Sequence, residues 1–298
     1  MAYGGPGSLA EVEPYLRDVR GYRPTPAEVV DRVRAHYAAI GGRSPILERT
    51  GAQAHALEEA LNVNGRRFTA VVGMRHWHPY IGDALERLAE AGVERAVGLV
   101  MAPHYSRLSI DLYFKEVEEA RTPVKIAPIQ TWHLLPGYLE ALADRVREAL
   151  ARFPTEVRDH VPLVLTAHSL PQRILQWNDP YPAQLAATTR AVVERVNGRL
   201  HRFAYQSAAM TREPWLGPDA GDVVAALAQE GHRHVLVVPI GFTCEHVEVL
   251  YDVDVELQGK ARELGVHLER IEMVNDHPLM IRDLAGLVRE AAAKEGWL

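Results

Sequence analysis

At 298 residues and 47% hydrophobic, the chain can bury a large core, and its length is nearer two domains than one. A formal net charge of -6 with no dominant basic face argues against a general nucleic-acid binder, and a single cysteine, Cys244, excludes a disulfide framework or a four-thiolate zinc or iron–sulfur site within one chain. No apolar stretch approaches membrane-spanning length and the first residues carry no export signal, so a cytoplasmic setting and a small-molecule partner are expected.

The N-terminus, Met1-Ala2-Tyr3-Gly4-Gly5-Pro6-Gly7-Ser8, reads as the last residues of a strand and its glycine-rich turn, with a spacing that fits neither G-x-G-x-x-G nor the P-loop. Met1 stands only two residues before Tyr3, so the ladder hydrogen bonds there are expected to go unmade. Tyr3 is then loosely held, or the natural chain begins upstream.

Thr25-Pro26-Ala27-Glu28 predicts a capping box, opening a helix with Val29, Val30, Val33, Tyr37 and Ile40 inward and ending at Gly41-Gly42. From Leu16 to Arg49 there are seven arginines against four acids, 7 - 4 = +3, a local reversal of the chain's overall sign. The segment reads either as a solvated helix face or as a clamp whose guanidinium forks bind a polyanionic small molecule.

Strands are predicted over 68–74, 95–102, 124–129, 162–167, 200–205, 235–241 and 266–271. Helices over 80–91, 139–151, 183–196 and 223–229 alternate with them, the order of a parallel sheet covered on both faces. Leu139, Leu142, Val146, Ala149 and Leu150 form one apolar stripe. Phe153-Pro154 then marks a boundary between halves 1–153 and 154–298, with a C-terminal helix from about 277 folding back on the first half. Ala84–Ala102 and Val224–Gly241 share a helix, glycine, strand order, which reads as an internal duplication or as ordinary α/β grammar.

Two polar stretches carry the chemistry. Thr166-Ala167-His168-Ser169-Leu170-Pro171 follows Leu163-Val164-Leu165, and Glu245-His246-Val247-Glu248-Val249-Leu250-Tyr251-Asp252 follows the apolar run 235–242. Both sit at the carboxyl ends of predicted strands, where open α/β sheets place their ligands. A histidine and a carboxylate brought together there make a proton acceptor and a cation ligand. Glu248, Asp252 and Glu256 recur every four residues and form one acidic line on a helix, read either as a metal track or as a solvated face. His78 and Trp215 read as surface and packing residues, and Cys244 as a buried small hydrophobe.

These motifs occur in order with Gly41-Gly42-Arg43-Ser44-Pro45, Ala102-Pro103-His104-Tyr105-Ser106, Asp179-Pro180-Tyr181-Pro182, Gln206-Ser207 and Pro214-Trp215-Leu216-Gly217-Pro218. Over essentially its whole length the chain thereby resembles the ferrochelatases, which insert ferrous iron into a porphyrin, and more narrowly the coproporphyrin ferrochelatases. The resemblance implies two Rossmann-like, chelatase-type halves, each with a four-stranded parallel sheet, and a macrocycle cleft between them. It implies that His168 is the active-site histidine, Glu248 its partner carboxylate and Tyr3 the residue approaching the opposite porphyrin face. A neutral imidazole near its unperturbed pKa of about 6.5 would accept the pyrrole protons. It further implies a metal path of His168, Glu248, Asp252 and Glu256, propionate contacts among Arg20, His36, Tyr37, Arg43, Ser44 and Tyr113, and a cleft histidine at His76. His36 stands where close relatives carry arginine.

Iron is then a substrate, with no resident cofactor and no iron–sulfur cluster, and the product passes into haem biosynthesis. Coproporphyrin carries four propionates where protoporphyrin carries two, so the arginine segment favours the former. A protoporphyrin ferrochelatase, a chelatase inserting cobalt or nickel into another tetrapyrrole, and a non-catalytic haem carrier are the alternatives.

Overall fold

The computed structural model describes residues 1–298 apart from 64, 66, 67, 210 and 212. Helices α1 (Val12–Val19), α2 (Ala27–Ala39), α3 (Ile46–Asn62) and α4 (Ile81–Glu90) precede β1 (Arg95–Leu99), α5 (Ile110–Glu119), β2 (Lys125–Ile129) and α6 (Pro136–Leu150). There follow β3 (Leu163–His168), α7 (Tyr181–Arg195), β4 (His201–Gln206), α8 (Ala220–Gln229) and β5 (His234–Pro239). The chain ends with α9 (Val247–Leu250), a π-helical stretch Asp252–Leu257, α10 (Gln258–Glu263), β6 (His267–Arg270) and α11 (Pro278–Lys294).

The second sheet has four parallel strands in the order β4-β3-β5-β6. Its centre is the apolar run that the sequence marks out: Leu163, Leu165 and Ala167 face one core and Val164 the other, all fully buried. On the first face lie Leu142 and Val146 of α6, Leu185 of α7 and Leu284 of α11, and on the second Val224 and Leu227 of α8 with Val253 and Leu257. Because the chain leaves β3 for β4 on one side and returns to β5 on the other, strand order reverses at the carboxyl ends of β3 and β5. A crevice opens there. The C-terminal helix α11 packs on α3 and α6, with Gly137 N–H donating to Asp283 and Arg289 donating to the Ala60 carbonyl.

Among the described residues of the first half, only β1 and β2 form a sheet, so the expected four strands are not realised there. Among the described residues, the predicted strand 68–74 forms no regular strand, and Met74 alone in it is bridged, to Ala2 and to Tyr80. Its neighbour on that side is residues 1–3, too short a partner for a continuous ladder. Those residues are nevertheless tied in. Ala2 N–H donates to Gly73 O, Arg75 N–H to Ala2 O, His76 N–H to Tyr3 O and Met101 N–H to Met1 O. The expectation of a loosely held Tyr3 is therefore corrected: backbone on both sides fixes it. An apolar cavity of about 550 Å³ lies alongside, between 68–73 and β1.

Helix α2 begins where expected but without the predicted capping box: Pro26 is its N-cap and the buried Thr25 hydroxyl has no partner. Among the described residues, no helix is long and apolar enough to cross a membrane.

Candidate active site

A cleft of about 360 Å³ opens between the carboxyl ends of the two sheets. Its first-half wall carries Tyr3, Arg75, His76 and Tyr113, and its second-half wall His168, Trp215, His246 and Glu248.

His168 is the last residue of β3, level with Gln206 at the end of β4, and its carbonyl accepts from the buried Tyr181 hydroxyl at 2.9 Å. Glu248 lies in the first turn of α9, where the Gln206 amide donates to its carbonyl at 2.6 Å. The side chains meet with His168 Nε2 at 3.4 Å from Glu248 Oε1. The sequence-derived pair is thus brought together by two strand ends and a short helix.

Three groups share one proton network here. His168 Nδ1 faces the Ser169 carbonyl while its Nε2 faces Glu248, so the doubly protonated ring satisfies both acceptors. Burial opposes that charge, but the Glu248 carboxylate outweighs it and raises the imidazole to about 9. This corrects the expectation of an unperturbed, neutral His168. For Glu248, burial works against ionisation, yet His168 and then His246 hold its carboxyl well below the usual range. His246 Nδ1 lies 3.0 Å from the Cys244 carbonyl and its Nε2 2.9 Å from Glu248 Oε2. With Nδ1–H donated to a carbonyl, the second contact requires a proton on one of its two partners.

Asp252 stands behind Glu248 and accepts a hydrogen bond from the Ser207 hydroxyl, with Ser207 itself in left-handed backbone at φ 61°. Burial raises Asp252 to about 7 against the Ser207 hydrogen bond, and the charges of Glu248 and Glu256 add to the rise. The predicted acidic line is not α-helical here. Glu256 N–H donates to Tyr251 O, the i→i+5 bond of a π turn, and Glu256 is exposed. Asp252 and Glu256 stand outside the cleft lining, and among the described residues no three histidine, cysteine or acidic side chains form a metal-holding set. The four predicted metal-path residues therefore do not form one coordination shell.

Tyr37, Ser44, Tyr113 and His76 line the cleft. Arg20 and Arg43 do not: both are exposed, and Arg43 meets Glu48 at 3.4 Å. They lie on the solvent side of the α1–α3 segment, which is therefore a solvated face at these positions. His36 also misses the cleft lining and packs on Tyr251 instead. Trp215, expected to pack, lines the cleft with its ring 6.4 Å from His168. Tyr3 lies against His76, ring centroids 4.6 Å apart, and burial with the Glu248 charge pushes its phenol up to about 12.

Sequence reasoning missed Arg75, which puts a cation into the cleft with its guanidinium 5.9 Å from the Tyr113 ring. Its signal was its place directly before His76. His246 stands two residues before Glu248 in the same motif and was given no role. Asp18, which bonds His76 at 2.9 Å, had no sequence signal beyond being an acid in an arginine-rich stretch.

The ferrochelatase family model matches residues 1–292. The chain is 44% identical over 287 residues to a ferrochelatase of Herpetosiphon aurantiacus, covering 94% of each chain. It is 39% identical to the coproporphyrin III ferrochelatase of Geobacillus kaustophilus, covering 99% of this chain and 96% of that one. Among solved structures, SirB from Bacillus subtilis with Fe3+ shares the fold at a TM-score of 0.57 and 14% identity, over 82% of this chain and 90% of that chain.

Proposed function

Since the chain belongs to the ferrochelatase family, we propose that it inserts ferrous iron into coproporphyrin III with release of two protons, as a step of haem biosynthesis. The observation that carries this reading is the His168–Glu248 pair facing Tyr3 across an apolar cleft.

The chemistry requires that two pyrrole N–H protons leave as a divalent ion enters. Iron suits imidazole and carboxylate donors, and His168 with Glu248 offers one of each. His168 carries a proton at neutral pH and must hand it on before it accepts another. Glu248 touches both His168 and His246, which gives that proton a route away from the ring. Asp252, raised to about 7, exchanges its own proton readily near neutrality, as suits a carboxyl that passes a cation inward.

The substrate assignment draws support from relatives named coproporphyrin III ferrochelatases at 37–39% identity and from the cation that Arg75 puts into the cleft beside Tyr113. The reading includes no resident cofactor, no iron–sulfur cluster and a cytoplasmic setting, the reducing compartment suited to one unpaired, buried cysteine.

The test is the absorbance of the purified chain mixed with coproporphyrin III and anaerobic ferrous iron. Collapse of the four-band free-base pattern is expected, faster than with protoporphyrin IX in detergent-free buffer. Binding of preformed haem with an unmetallated free base would instead identify a carrier, and preference for cobalt or nickel another chelatase.

A further inference from the structure

Four histidines line the cleft, and their ring nitrogens differ in what they meet. Those of His168 and His246 each face an oxygen acceptor on both sides. His104 meets the Thr188 hydroxyl at 2.9 Å through Nε2, and its Nδ1 is sealed away without a partner. His76 is different. Its Nδ1 lies 2.9 Å from Asp18 Oδ1, while among the described residues no protein atom pairs with Nε2 and that atom is not among the sealed, unpaired ones.

Asp18 is fitted as an acceptor. Besides His76 it takes the Tyr80 hydroxyl at 3.2 Å and the Tyr22 hydroxyl at 3.3 Å on its other oxygen. A carboxylate in that position puts the imidazole hydrogen on Nδ1 and leaves the lone pair on Nε2. Burial, with the Arg75 cation beside it, lowers the affinity of His76 for a second proton against the pull of Asp18, which favours the neutral ring. The ring is fixed to the Tyr3 side of the cleft, by contact with the Tyr3 ring and by the His76 N–H bond of 2.9 Å to the Tyr3 carbonyl.

We propose that His76, held by Asp18 as the Nδ1–H tautomer, accepts a pyrrole proton from the Tyr3 side of the macrocycle, opposite the His168–Glu248 pair, and that Asp18 is its positioning residue. The pyrrole N–H bond breaks, its electron pair stays on the porphyrin nitrogen, and the proton bonds to the His76 Nε2 lone pair. The imidazolium so formed sits beside the Asp18 carboxylate until water takes the proton. This rests on the ferrochelatase reading, and it gives the two departing protons separate acceptors on the two walls.

The test combines kinetics with a readout that needs no turnover. With coproporphyrin III and ferrous iron, His76→Ala is expected to lower kcat by roughly 10²-fold, the usual loss of a general base, with KM for the porphyrin within about twofold. Asp18→Ala should lower kcat by about tenfold, and Asp18→Ala/His76→Ala no further than His76→Ala, since residues acting as one unit are not additive. Tyr80→Phe removes a partner of Asp18 but none of His76 and should stay within about twofold of wild type. ¹⁵N NMR of histidine-labelled protein should show the Nδ1–H tautomer at His76, shifting toward Nε2–H in Asp18→Ala. Multiplicative losses in the double variant, near-normal kcat in His76→Ala, or an Nε2–H tautomer in the wild type would each overturn the proposal. Absence of metal insertion by the wild-type chain would instead sink the ferrochelatase reading, while the tautomer still decides what Asp18 does.

Discussion

The His36 imidazole lies flat on the Tyr251 ring, with centroids 3.8 Å apart and planes 12° from parallel. This stack ties α2 to the residue at the start of the π-helical turn, and burial there lowers the imidazole's affinity for a proton. A residue that the sequence offers as a propionate contact is instead a strut between the two walls.

A double-mutant cycle with His36→Ala and Tyr251→Ala is therefore expected to return a coupling of about 0.5–1.5 kcal/mol, the range for aromatic pairs. Denaturant unfolding reads it. Additive effects of the two substitutions would show that the rings touch without stabilising the fold.

His168→Ala and Glu248→Gln should each lower the rate of iron insertion by roughly 10²-fold or more while coproporphyrin affinity, read by fluorescence, changes little. Glu248→Gln keeps the shape but removes the charge that holds a proton on His168. A rate within a factor of two of wild type in either variant would remove that group from the mechanism.

The charge pair also fixes a pH window for stability. His168 is raised from 6.5 to about 9, so the native state keeps a proton that the unfolded chain loses. Its contribution is full below pH 6.5 and disappears as pH rises through about 9. Glu248 is lowered from 4.5, so its contribution is full above that value and is lost as pH falls below it. The stability difference between wild type and Glu248→Gln should thus peak between about pH 4.5 and 6.5 and decline on both sides. A flat difference from pH 5 to 9 would show that the pair does not hold its proton in the native state.

Arg75→Ala is expected to erode the proposed preference for coproporphyrin over protoporphyrin more than Arg43→Ala or Arg20→Ala does, because only Arg75 of the three lines the cleft. Rates with the two porphyrins, corrected for aggregation, measure it. An equal loss in all three would return the α1–α3 arginines to the binding site.

Gly241 follows β5 against β3, and an added Cβ would stand 2.6 Å from Ala167 Cβ and 2.8 Å from its Cα. Gly241→Ala must push apart the strand ends that carry His168, so a loss of about 1–3 kcal/mol is expected from overpacking, together with reduced activity. Thermal unfolding and the metallation assay would detect both effects.

Much of this protein is legible in the sequence alone. The β3 and β5 runs are apolar on both faces, so their strand character, burial and central place follow from composition, and the polar residues after them fall at strand ends by chain order. That is why His168 and Glu248 could be found without coordinates. Tertiary structure decided what depends on approach across the chain. The charge on His168 comes from a carboxylate far away in sequence, and the tautomer of His76 from Asp18 on another element. The arginines show the limit most plainly. A long, flexible cation has the same composition whether it faces solvent or cleft, and only the packing of α1–α3 turned Arg20 and Arg43 outward while the backbone pairing of residues 1–3 brought Arg75 and His76 in.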